Sequence, residues 1–158
     1  MKNFMKIVLL FLLTSCAVAQ TRVKMEAAAV SGARSLRDVV TDKDSFRVSS
    51  AKAIPENEDG KVRLCFNGRV KNKQGGYSDL TAMAFGLTTG PDAGKAIPVA
   101  LASGSGDSFT LDETGTHIRA DVDALTIAKV IAQFCDGHTG VDMTDAVKAA
   151  LKQDREKE

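Results

Sequence analysis

The chain has 158 residues, a formal net charge of +1, 44% hydrophobic and 26% charged residues. That length suits one domain, and the composition excludes a disordered chain or one built of membrane spans. Near-zero charge lacks the basic excess on which nucleic-acid binding depends, so no nucleic-acid partner is expected.

Residues 1–19 read as an export leader. Lys2 and Lys6 supply a positive start, residues 7–13 are an unbroken apolar run, and small residues follow from Thr14 to Ala19. The run is too short to cross a bilayer core, which takes about 20 apolar residues. Two cleavage patterns overlap. Ala17-Val18-Ala19 fits the A-x-A rule of ordinary signal peptidase, whereas Leu13-Thr14-Ser15-Cys16 matches the bacterial lipobox, in which the cysteine is acylated and becomes the mature terminus. The leader is therefore 1–19, or 1–15 with Cys16 lipidated. Both readings place residues 20–158 outside the cytoplasm as a single periplasmic or secreted domain, membrane-anchored if acylated.

Beyond the leader, apolar residues at Val23, Ala27, Val30, Ala33, Leu36 and Val40 recur at helical spacing and predict a helix over 23–40, with Gly32 as its weak point. Period-two alternation predicts strands over 45–54 and 61–71, separated by the turn-rich 55–60. A third strand over 80–88 is small or apolar on both faces, as a central strand covered on two sides would be. Residues 96–102 suit a fourth strand that Pro98 pushes to a sheet edge, and 108–111 a short return strand. Asp121 is placed to cap a helix running to about Cys135, with Val122, Leu125, Ala128, Ile131 and Cys135 inward and Asp136-Gly137 as its stop. A last helix over 143–153 precedes a charged tail, 152–158, that should fray. The pattern is α+β: an N-terminal helix, an antiparallel meander of three to five strands, and two C-terminal helices.

With Cys16 acylated or removed, Cys65 and Cys135 remain, and a pair in an oxidising compartment is most simply a disulfide. Closing a 70-residue loop contributes about 4 kcal/mol in the chain-entropy picture. One difficulty stands: Cys65 shares the parity of the polar residues of its strand, so another element must cover that face. The rival use is metal binding, since Cys135 and His138 have C-x-x-H spacing and Cys65 and His117 could join them. Zinc sites need three or four such ligands in a doubled pattern, and one half alone reads better as a helix end capped by histidine, so no metal is assigned.

The most distinctive tract is residues 65–77, a strand delivering a basic, amide-rich turn that ends in the chain's single tyrosine. Lys71, Asn72, Gly75, Gly76 and Tyr77 are the candidate ligand-binding residues. The glycines permit positive φ and converging backbone N–H groups, Lys71 adds charge, and Tyr77 adds an aromatic face with a hydroxyl. An anionic or sugar ligand suits that chemistry; a plain hairpin turn is the structural alternative. The tract resembles a family of small uncharacterised bacterial secreted proteins and lipoproteins with the motif C-x5-K-N-x2-G-G-Y. Cys65, Lys71, Asn72, Gly75, Gly76 and Tyr77 fall in its register, and Asp42-Lys43-Asp44-Ser45 is similar to the family's D-P-x-S before the first strand. Phe66, Arg69, Val70 and Lys43 depart from it. The resemblance spans residues 42–85, implies an exported domain, and carries no activity.

Enzyme motifs are sparse. His117 and His138 are the sole histidines, with no G-x-S-x-G or Ser-x-x-Lys beside them and no phosphate-binding glycine loop. Asp107, Asp112 and Glu113 could form a carboxylate pair, although acids are common on solvated turns, and Asp121 and Asp123 suit capping better than catalysis. The expectation is a non-enzymatic cell-envelope domain, binding or structural, that engages an envelope component or a protein partner and needs no cofactor. A small periplasmic hydrolase and a metal-handling protein are the alternatives.

Overall fold

The computed structural model describes residues 2–40, 42–104, 108–111, 117–118 and 123–158, with side chains described over 19–40, 42–104 and 123–158. Three helices, α1 (Lys2–Val39), α2 (Ala124–Asp136) and α3 (Thr144–Lys157), pack on a seven-stranded antiparallel sheet. The strands are β1 (Arg47–Pro55), β2 (Lys61–Lys71), β3 (Tyr77–Leu87), β4 (Ala96–Ser103), β5 (Ser108–Leu111), β6 (His117–Ile118) and β7 (Val141–Asp142). Their order is β6-β5-β4-β3-β2-β1-β7, so the α+β expectation holds and β3 lies at the centre, as its two apolar faces imply. Among the described residues the two outermost strands are two residues long, and β7 pairs with β1 only at Lys52 and Ala53. Among the described residues no helix is long and apolar enough to cross a membrane.

The main core lies between the sheet and the α1/α3 layer. Val62, Leu64, Phe66 and Val70 of β2 point into it with Leu80, Ala82 and Ala84 of β3, meeting Met25, Ala28, Ala29, Ala33 and Leu36 of α1 and Val147 and Leu151 of α3. The contact between α1 and the sheet is a seam of small residues. A Cβ at Gly32 would sit 3.2 Å from the Ala84 Cβ, 3.2 Å from Leu64 Cδ1 and 3.3 Å from Phe66 Cζ. Gly32 is therefore a point of close approach, and its helix-propensity cost of about 1 kcal/mol is exchanged for packing. Hydroxyls lock the position: the Ala96 N–H donates to Ser31 Oγ at 3.0 Å, and Ser35 Oγ donates to the Ala96 carbonyl at 3.3 Å.

Among the residues of α1 whose side chains are described, 19–24 are exposed and burial starts at Met25, although the helix itself runs unbroken from Lys2. The helix expected over 23–40 is part of a longer one, and its inward face starts differently: Val23 and Ala27 are exposed, and Met25, Ala28 and Ala29 take the buried positions. At the other end, 152–158 is not frayed as expected but helical to Lys157. Arg34 of α1 donates two hydrogen bonds to Asp154, at 2.8 and 2.9 Å, and Arg37 lies 3.6 Å away. These contacts fix a tail whose local sequence is merely charged. The hydrogen bond from Arg34 holds the Asp154 carboxyl below its ordinary value.

Pro98 does not mark an edge. β4 lies between β3 and β5, and the proline faces Ala84 where the register shifts: Met83 pairs with Ala100, leaving Val99 as the extra residue. A bulge is where a strand tolerates a missing N–H.

Gly32→Leu should lower stability by about 2–3 kcal/mol, read as urea midpoint, because the helix must lift off β3; an unchanged midpoint would refute the seam. Asp154→Asn should lose no more than about 1 kcal/mol at neutral pH. Because the folded pKa lies below 3.8, this advantage of the wild type is complete above that value and shrinks as pH falls through the lowered pKa. Melting curves of both proteins from pH 7 to pH 2.5 check the convergence.

Candidate functional site

On the opposite face of the sheet, α2 is the cover that Cys65 requires. Its Ile127, Ile131 and Cys135 form a second, smaller core with Ile54, Cys65 and Ala102. Cys65 and Cys135 are disulfide-bonded across it, their Cα atoms 6.2 Å apart, so the predicted staple joins sheet to helix. The cap of α2 is Asp123, two residues after Asp121, which lies outside the described residues together with Val122. Asp123 Oδ1 accepts the Thr126 N–H at 3.0 Å and Oδ2 accepts the Thr126 hydroxyl at 2.7 Å. The hydroxyl bond foremost, with the backbone bond, lowers the Asp123 pKa. The shift in start also changes the inward face: Leu125 is exposed and Ile127 takes the buried position.

The C-terminal end of α2 is closed by three devices. Lys52 of β1 donates to the carbonyls of Cys135 and His138, the second at 3.0 Å. His138 Nδ1 lies 2.7 Å from the Phe134 carbonyl, and the two rings stack at 4.4 Å. His138 is thus a cap at the negative end of the helix dipole, and Cys135 is oxidised, so the C-x-x-H spacing presents no thiolate. Among the described residues no group of three metal-ligating side chains occurs. His117 sits in β6 with its side chain outside the described residues, as are Asp107, Asp112 and Glu113.

The 65–77 tract is the β2–β3 hairpin, and its loop is shorter than the sequence suggests. Tyr77 is the first residue of β3 and pairs with Lys71 in register, so five residues, 72–76, make the turn. Asn72 organises it. Its Oδ1 accepts the N–H groups of Gln74 at 3.1 Å and Gly76 at 2.9 Å, while the Gly75 N–H donates to the Asn72 carbonyl at 3.1 Å. The converging backbone N–H groups expected to hold a ligand therefore converge on the Asn72 amide. Gly75 takes φ +87°, the left-handed conformation that glycine adopts without strain. Lys71 is exposed beside it, and Tyr77 is 59% exposed. The structure brings all five candidates together but divides their work: Asn72, Gly75 and Gly76 shape the turn, and Lys71 and Tyr77 face solvent.

The base of the hairpin is buttressed from the 3₁₀ turn at Lys43–Ser45. The buried Ser45 hydroxyl accepts the Lys71 N–H at 2.9 Å and donates to the Asp42 carbonyl at 2.9 Å. The two separated sequence segments, 42–45 and 65–77, thus meet at one hydroxyl.

Beyond the hairpin, Arg69, already part of the basic tract, and further polar positions not singled out in the sequence share its face. Register puts Arg47, Arg69 and Asp79 in one row across β1–β3, and Ser50, Asn67 and Thr81 in the next. Asn67 Nδ2 donates to Ser50 Oγ at 3.3 Å, and Thr81 Oγ1 donates to Asn67 Oδ1 at 3.5 Å. The signal was polar residues at alternate positions, visible in the chain, but only the register shows that they form rows. A cavity of 440 Å³ adjoins this face, where Asp79 and Thr81 meet Gly104 and the N-terminal turn of α2 at Asp123 and Leu125. Among the described residues no histidine lines it.

No protein-family model matches the chain, and no curated protein or solved structure matches it.

Asn72→Ala should remove two acceptor bonds and leave the N–H groups of Gln74 and Gly76 to water. Amide exchange at Gln74–Tyr77 should accelerate at least tenfold, with global stability lowered by about 1 kcal/mol. Unchanged exchange would refute the role of the Asn72 amide.

Proposed function

We propose that the chain is an exported cell-envelope domain without catalytic activity, which binds an envelope component or a protein partner through the β2–β3 hairpin end. One observation carries this reading: Tyr77, an aromatic residue 59% exposed, stands beside exposed Lys71 on a turn that Asn72 and Ser45 hold in shape. Large apolar groups left in water on a rigid element are the usual anchors of interfaces. Rigidity lowers the entropic cost of engagement.

Export is supported by the leader pattern and by the Cys65–Cys135 disulfide, a bond favoured outside the cytoplasm. The likeness of the hairpin to the C-x5-K-N-x2-G-G-Y motif of secreted proteins and lipoproteins points the same way. Either cleavage falls before an exposed stretch, residues 20–24, and the described burial begins at Met25. If Cys16 is acylated, the exposed segment becomes a spacer between membrane and domain. The metal-handling alternative loses Cys135 to the disulfide and finds His138 engaged as a cap.

Pull-down from envelope extract should recover a partner with the wild type and lose it with Lys71→Ala/Tyr77→Ala, at unchanged melting temperature. Equal recovery would overturn the hairpin reading. In detergent phase separation, the wild type should enter the detergent phase and Cys16→Ser the aqueous phase. Two aqueous proteins would leave Ala17-Val18-Ala19 as the cleavage signal and remove the lipid anchor.

A further inference from the structure

The sheet face under α2 is only partly covered. The row Lys52–Cys65–Met83–Ala100 supports the helix, through the disulfide at Cys65 and the packing of Met83 and Ala100 against the second core. Towards the hairpin end, three further rows of the same face carry polar side chains: Ser50–Asn67–Thr81, then Arg47–Arg69–Asp79, then Lys71–Tyr77. Every one of these residues is exposed except Thr81, which is half-buried. Tyr77, Asp79 and Thr81 stand at alternate positions of one strand and therefore on one face.

We propose that this face is a platform for an acidic polysaccharide. The assignment rests on the hairpin reading above and names its ligand class. Charge complementarity comes first. Arg47, Arg69 and Lys71, with Lys73 on the adjoining turn, outnumber Asp79 on a body that, after loss of Lys2 and Lys6, has 19 basic against 20 acidic residues. Positive charge is thus gathered here rather than spread evenly. Arg47 is held over the face by its Nη1, which donates to the carbonyls of Asp44 and Phe46. Arg69 meets Asp79 only at 3.9 Å, with both side chains more than two-thirds exposed, so a ligand carboxylate can replace Asp79 at little cost.

The second argument separates a sugar polymer from a bare polyanion. The Ser50–Asn67–Thr81 ladder presents hydroxyl and amide groups in a line across three strands about 4.8 Å apart, and such groups suit the hydroxyls of sugars. Tyr77 adds a ring against which the apolar face of a sugar can stack. The rows lie on an open sheet surface rather than in an enclosed pocket, which fits an extended chain. Hydroxyl-reading groups beside guanidinium groups match uronic-acid units, each of which carries both functions.

The test uses the exported chain in affinity electrophoresis against polygalacturonate, a neutral glucan and inorganic polyphosphate. Retardation by polygalacturonate should exceed that by the other two, and should weaken with salt. Arg69→Gln/Lys71→Gln should weaken it about tenfold or more. Asn67→Ala and Tyr77→Ala should also weaken it, at unchanged melting temperature and with the salt dependence retained. No binding of polygalacturonate, equal binding of the neutral glucan, or equal binding of polyphosphate that Asn67→Ala and Tyr77→Ala leave intact would overturn the assignment. If polygalacturonate fails while Lys71→Ala/Tyr77→Ala still loses its partner from envelope extract, the ligand class falls and the hairpin reading stands.

Discussion

The architecture depends on how closely α1 lies on the central strands. Among the described residues only two aromatic side chains, Phe46 and Phe66, are among the largest fully buried groups, so bulk does not fill the space between helix and sheet. Small residues close it instead. Ala28, Ala29, Gly32 and Ala33 bring the α1 backbone down onto Ala82, Ala84 and Gly86, and each short contact forfeits side-chain area while gaining density. The arrangement is intolerant in both directions, because a larger side chain clashes and a looser one leaves a gap. Every other element is placed by reference to this layer: α3 beside α1, and the sheet beneath both.

The second face is built differently. α2 is short, its core is small, and it is held by covalent and polar fastenings: the disulfide, the Lys52 clamp on its last carbonyls and the Asp123 cap on its first N–H groups. This economy leaves the hairpin end of the sheet bare and polar. A bulge in β1, with Ser49 as the extra residue between Val48 and Ser50, belongs to the same design. A Cβ at Gly68 would come 2.1 Å from the Arg47 carbonyl oxygen, so glycine there lets β1 fold tightly against β2 and swing Arg47 into line with Arg69.

Much of this was legible in the residues. Strands over 61–71 and 108–111, the centrality of β3, the disulfide and the stop at Gly137 all follow from alternation, cysteine arithmetic and turn chemistry. The misses have particular causes. β7 is two residues long and has no periodicity to read; it pairs with Lys52 and Ala53, and its Asp142 accepts the Thr144 hydroxyl at 2.6 Å to start α3. The tail is helical because Arg34, 120 residues away, holds Asp154. Pro98 stands in a strand that is not an edge because a bulge receives it on the β3 side and the described pairing with β5 covers only Ala100–Ala102. Of the candidate site, residue types were visible but allegiance was not: the Asn72 amide could have faced a ligand, and it faces its own turn. The Ser50–Asn67–Thr81 ladder needed three strands in register before it existed.

The pairing of cysteines also bears on how the protein matures. With Cys16 acylated or cleaved away, one intramolecular disulfide is possible, whereas three free cysteines would allow three. Oxidation then cannot trap a wrong isomer, and reshuffling, which takes seconds to hours, is not required. α1 and strands β1–β6 precede Cys135 in sequence, so the thiol of Cys65 can be set in place by its strand before its partner arrives. If the chain is processed at Cys16 or Ala19 as proposed, a thiol oxidant suffices for its one intramolecular pair.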